Sequence, residues 1–107
     1  MNFSEFLEQV QKLQCQERRT QTESYVEVVV AKLYWPDMDQ VLQSFFGAPL
    51  KPQGQRPSSE SDRCAKPYGG VRKDQALYFK KSDNDSYAAL LWPWGSGTAV
   101  TLKIIKS

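Results

Sequence analysis

Gln75-Ala-Leu-Tyr-Phe-Lys-Lys81, Ser86-Tyr-Ala-Ala-Leu-Leu-Trp92 and Thr98-Ala-Val-Thr-Leu-Lys-Ile-Ile105 decide the fold. Each run is rich in aromatic, β-branched or other apolar residues, and Ser82-Asp83-Asn84-Asp85 and Gly95-Ser96-Gly97 separate them. Runs of this length between such clusters read as strands joined by tight turns. Side chains alternate across a strand, so Leu77/Phe79, Ala88/Leu90/Trp92 and Val100/Leu102/Ile104 are expected on one shared face. Thr101 and Lys103 then face water, which describes a sheet covered on one side only. Pro93 has no N–H for a central ladder, so the middle strand is expected to end at Trp92.

Upstream of this meander, Phe3, Phe6, Leu7, Val10 and Leu13 recur at helical spacing over residues 2–17. Asn2 or Ser4 can cap that helix, Glu5 and Glu8 suit its positive end, and Arg18 and Arg19 suit its C-terminal end. The plainer role for the helix is to cover the sheet; the alternative is to bind a partner. Residues 23–35, dense in valine, read as a strand that Pro36 closes. Asp37-Met-Asp-Gln40 reads as the capping sequence of a second helix. Met38, Val41, Leu42, Phe45 and Phe46 form its stripe and Gly47 its stop. From Ala48 to Asp74 prolines, glycines, serines and basic residues predominate. This stretch is expected to be a long connection, mobile at about 48–67, with order returning near Tyr68. The fold class that follows is one α+β domain over residues 1–107, in the order α-β-α-long loop-β-β-β. Two helices pack on one face of a four-stranded, mainly antiparallel sheet.

The chain has 107 residues and a net charge of +2, too small to imply a polyanionic partner by itself. Charge is unevenly spread: residues 48–74 carry six basic against three acidic groups, and residues 23–47 one against four. The opening segment is amphipathic and acidic rather than a basic-then-apolar leader, and no apolar run reaches membrane-spanning length. The sequence therefore predicts a cytoplasmic protein without membrane association, with Cys15 and Cys64 as free thiols.

Histidine is absent. That removes the commonest general base and metal ligand, and with two distant cysteines it leaves no ordinary zinc site. Asp37/Asp39 and Asp83/Asp85 read as a helix cap and a hairpin turn rather than as metal ligands, because Ala88 and Trp94 stand where a calcium loop needs glycine and a carboxylate. Cys64, between Arg63 and Lys66, could be an activated thiol, although an incidental loop cysteine is the simpler account. Pro67-Tyr-Gly-Gly-Val-Arg-Lys73 can be read in two ways. Paired glycines can turn backbone N–H groups inward as an anion nest beside Arg72 and Lys73, or can simply supply positive φ for a turn. Trp92-Pro-Trp-Gly95 puts two large aromatics at a second corner.

If the two corners meet, Tyr68, Gly69, Gly70, Arg72, Lys73, Trp92 and Trp94 form a binding surface of aromatic and basic groups. The function expected from it is a non-catalytic protein-binding module, without cofactor or metal, acting as a monomer or weak dimer. Two other readings remain: weak binding of single-stranded nucleic acid or a nucleotide on the same groups, or a small enzyme using Cys64 or a carboxylate with lysine.

Overall fold

In the computed structural model, which describes residues 1–107, the helix and strand order is α1 (Phe3–Lys12), β1 (Glu17–Gln21), β2 (Tyr25–Ala31), α2 (Trp35–Phe46), α3 (Ser59–Ala65), β3 (Ala76–Lys81), β4 (Ser86–Pro93) and β5 (Ala99–Lys106). One five-stranded sheet has the order β1-β2-β5-β4-β3, and every pairing is antiparallel. The C-terminal strand is thus its centre. The α+β class stands, but the sheet has five strands instead of four and there are three helices instead of two.

Helices α1 and α2 lie on one face, as the stripe pattern implies. Phe3, Phe6, Val10, Met38, Leu42, Phe45 and Phe46 meet Val26, Val28, Val30, Tyr78, Ala89, Leu91, Leu102 and Ile104 in the main core. Asn2 caps α1 with a reciprocal bond to Glu5, which satisfies two donors at that helix end. Lys12 ends the helix, and Arg18 supports that end from β1, donating Nη2 to the carbonyls of Gln11 (2.8 Å) and Leu13 (2.7 Å). Helix α2 starts two residues before the expected Asp37 cap. Pro36 sits in its first turn, where a missing N–H is harmless, and Gly47 at φ +80° ends it. β2 accordingly stops at Ala31, and Lys32–Tyr34 form a 3-10 turn.

The opposite face is not open. Ala65 and Val71 pack on Leu77, Ala88 and Leu90, with Leu50, Cys64, Tyr68, Phe79, Trp92 and Ile105 around them. The stretch read as a structureless connection therefore supplies a second layer over β3 and β4. Ser58 caps α3 through a reciprocal bond with Ser61, and Ser61 is fully buried. Because both faces are covered there, the predicted face-sharing is half wrong. Leu77/Phe79 and Ala88/Leu90/Trp92 do share a face, but Leu90 pairs with Lys103 and Leu91 with Leu102. Val100, Leu102 and Ile104 thus belong to the helix face. The Ala88-Ala-Leu-Leu91 run has apolar residues in both registers, so alternation could not select one. β4 also runs one residue past Trp92, with Pro93 opposite Val100.

Candidate functional site

The site begins where α3 ends. Lys66–Tyr68 tighten into a 3-10 turn, and Gly69 (φ +96°) and Gly70 (φ +89°) reverse the chain. The Gly69 amide donates to the Lys66 carbonyl (3.3 Å) and the Gly70 amide to the Ala65 carbonyl (2.9 Å), an ordinary way to satisfy the last carbonyls of a helix. Val71 then drops into the second core. Arg72 and Gln75 close the next turn on each other. The Arg72 amide donates to Gln75 Oε1 (2.8 Å), and the Gln75 amide donates to the Arg72 carbonyl (3.1 Å). From β4, Trp92 stands beside them on the same face of the sheet. Gly69, Gly70, Val71, Arg72, Gln75 and Trp92 line an open cleft of about 340 Å³. Lys103, from β5, places Nζ 4.7 Å from the centre of the Trp92 ring, a cation–π contact that limits the indole's freedom.

The two corners therefore do meet, and four of the seven expected residues, Gly69, Gly70, Arg72 and Trp92, share the cleft. The other three lie elsewhere. Tyr68 bonds its hydroxyl to Ser107 Oγ (2.9 Å) and lines a neighbouring hollow with Arg63, Cys64 and Phe79. Lys73 is exposed and does not line the cleft; its carbonyl accepts from the Gly54 amide (2.8 Å). Trp94 donates Nε1 to Thr101 Oγ1 (2.9 Å) and stays outside the cleft. Gln75 was missed as a member because it was read as the first residue of a strand; its side chain instead pins the turn before β3.

The glycine pair is a turn and not an anion nest. The amides of Gly69, Gly70 and Arg72 already have internal acceptors, so they cannot converge on an external anion. A Cβ added to Gly70 would meet nothing within 4 Å, which leaves backbone conformation as the whole cost. Gly70→Ala is expected to lower stability by about 1–2 kcal/mol, measured as a shift of the urea midpoint. An unchanged midpoint would mean that the turn relaxes out of positive φ.

The two cysteines are free. Burial pushes the Cys15 thiol above its ordinary pKa, with Arg18 opposing the shift, so Cys15 behaves as a packing residue. Cys64 is part of the second core rather than of a flexible loop. Asp37 and Asp39 lie within α2, not at its cap, and Asp83 and Asp85 lie in the β3–β4 turn, closed by the Ser82 amide on the Asp85 carbonyl (2.9 Å). No three His, Cys, Asp or Glu side chains gather anywhere in the fold in a way that could hold a metal ion. No helix is long and apolar enough to cross a membrane. The chain matches no family model, and neither a curated protein nor a solved structure proved significantly similar to it.

Proposed function

We propose that this chain is a non-catalytic protein-binding module that seats a segment of a partner in the cleft between the Gly69-Gly70 turn and Trp92. The chemistry of the lining carries this reading. An indole and a guanidinium flank a small apolar floor, and no carboxylate, thiol or imidazole is among the lining residues. Tryptophan and arginine are the side chains that most often anchor protein interfaces. Trp92 offers an apolar or aromatic partner residue a wall held in place by Lys103, while Arg72 offers a carboxylate or carbonyl a forked donor. Arg72 in the cleft lining and Lys103 over the indole favour an acidic segment. Free cysteines fit a reducing, cytoplasmic setting. A monomer or weak dimer fits the sheet edge, where a bulge between Arg18 and Thr20 interrupts β1.

A random-peptide display selection against the folded protein tests the reading. Enriched peptides should carry an aromatic or large apolar residue near an acidic one. Arg72→Ala and Trp92→Ala should each weaken them by about tenfold or more, with the fold intact by circular dichroism. Peptides indifferent to both substitutions would overturn the cleft as the binding surface. Single-stranded oligonucleotide binding that falls steeply with salt would replace the protein partner with a phosphate-bearing one.

A further inference from the structure

Lys51 lies in the proline-containing stretch that follows α2, and it is only 2 % exposed. Its backbone pairs with Leu77 on the outer side of β3: the Lys51 amide donates to the Leu77 carbonyl (3.2 Å), and the Lys51 carbonyl accepts from the Leu77 amide (3.0 Å). That pairing fixes where the side chain starts. The side chain runs inward, and its ammonium donates to the carbonyl of Lys73 at 2.5 Å and to the carbonyl of Gln75. Both carbonyls belong to the turn whose ends are Arg72 and Gln75, two of the residues that line the cleft.

We propose that Lys51 is the positioning residue of the cleft: its ammonium draws the 72–75 turn inward and so sets the place of Arg72 relative to Trp92. The role rests on the binding reading for its purpose, but the tie itself does not. Strand pairing alone does not fix this turn, because β3 begins only at Ala76. The amide bonds between Arg72 and Gln75 close the turn on itself without attaching it to the sheet. Val71 holds the entry to the turn in the second core, and the turn beyond it is attached by the Lys51 ammonium, helped by the Gly54 amide on the Lys73 carbonyl (2.8 Å). Burial pushes the Lys51 amine below its ordinary pKa, and the nearby Asp74 carboxylate opposes that shift. The charge is therefore a burden on global stability, and what it contributes is a specified local shape. A role as a nucleophilic amine does not fit, because Lys51 lines none of the cavities on this face and its ammonium is occupied by carbonyls.

Lys51→Met keeps the length of the side chain and removes its donors. The carbonyls of Lys73 and Gln75 would then have to reach water, which swings the turn outward. Site-resolved amide hydrogen exchange should accelerate about tenfold or more at Gly54 and Gln75, with amides between β4 and β5 unchanged. The Trp92 indole N–H resonance should shift while those of Trp35 and Trp94 stay in place. Uniform acceleration throughout the sheet, movement of all three indoles, or no change at Gly54 and Gln75 would each overturn the proposal. If the variant does not fold, amine acetylation of the unaltered protein decides. Lys51 should be the slowest of the lysines to react, and labelling at the rate of exposed lysines would overturn the tie. Loss of peptide binding plays no part in these readouts, so a failed cleft and a failed clasp remain distinguishable.

Discussion

Phe6→Ala is expected to destabilise the fold by about 3–5 kcal/mol. Phe6 is 0 % exposed. Its ring stacks on Phe45 with centroids 4.6 Å apart, meets Phe46 edge-on at 5.6 Å and lies 6.0 Å from Phe3. Removing it takes the shared neighbour from three other rings and leaves a cavity between α1, α2 and the sheet that those rigid groups cannot collapse into. Domains of this size are stable by about 5–15 kcal/mol, so the variant should be close to its unfolding transition at modest temperature. Urea denaturation gives the magnitude, and Leu33→Ala provides the contrast. Leu33 is 79 % exposed, and its loss should change stability by no more than about 0.5 kcal/mol. The outcome also separates the two roles considered for α1. A helix reserved for a partner would tolerate Phe6→Ala with a loss below about 1 kcal/mol, and such a result would detach α1 from the core.

The elements that sequence patterning recovered are those with a single apolar stripe. α1 and α2 carry apolar residues at helical spacing against a polar background, so period and burial agree. The last three strands were legible as strands for a related reason, since turn residues bracket them. Their facing was not. β4 is apolar in both registers because it is covered from both sides, and the cover on its second side is α3. That helix carries a readable start, Ser58 to Ser61 with Glu60 and Asp62 in its first turn, but prolines and glycines around it dominate the composition. β1 left no signal at all. Its five residues, Glu17-Arg-Arg-Thr-Gln21, are all exposed, and it is a strand because β2 offers a free edge and because Arg19 bridges Glu17 (3.2 Å) and Glu27 (3.3 Å). Local propensity has no access to such long-range partners. The cleft was half legible for the same reason. Glycines and tryptophans announce corners, whereas Gln75 and Lys51 matter only through the turn that tertiary packing brings to them. A buried lysine in particular reads in sequence as one more charge in a basic loop.

Removing the Tyr78–Asp39 bond is the second large effect expected. The Tyr78 hydroxyl donates to Asp39 Oδ1, and Gln43 Nε2 donates to Asp39 Oδ2 (3.0 Å), so the carboxylate joins β3 to α2 from within the helix. Tyr78 is 3 % exposed. Tyr78→Phe removes one bond to a charged acceptor and should cost about 1.5–3 kcal/mol. Asp39→Ala leaves the buried hydroxyl without its acceptor and should cost about 1–3 kcal/mol. The two costs are not additive, because each substitution ends the same interaction; the double variant should be close to the worse single one. Additive losses would show that the two groups act on separate partners. The same bond fixes an alkaline limit. Burial first, then the hydrogen bond and charge of Asp39, raise the Tyr78 phenol well above its ordinary value. Tyr25 moves the same way, pushed up to about 12 by burial and then by its bond to Glu27. A raised folded-state pKa gives stability that is complete below the unfolded value of about 10 and is lost as pH climbs through the folded one. Lys51 has the opposite sign: its lowered pKa means that stability is gained as pH rises toward the ordinary lysine value of about 10.4. Above that point only the tyrosines act. The urea midpoint should therefore fall between about pH 10 and about pH 12, and Tyr78→Phe should make that fall shallower. An equally steep fall in Tyr78→Phe would remove this hydroxyl as the source and leave Tyr25 to account for it, which Tyr25→Phe then decides.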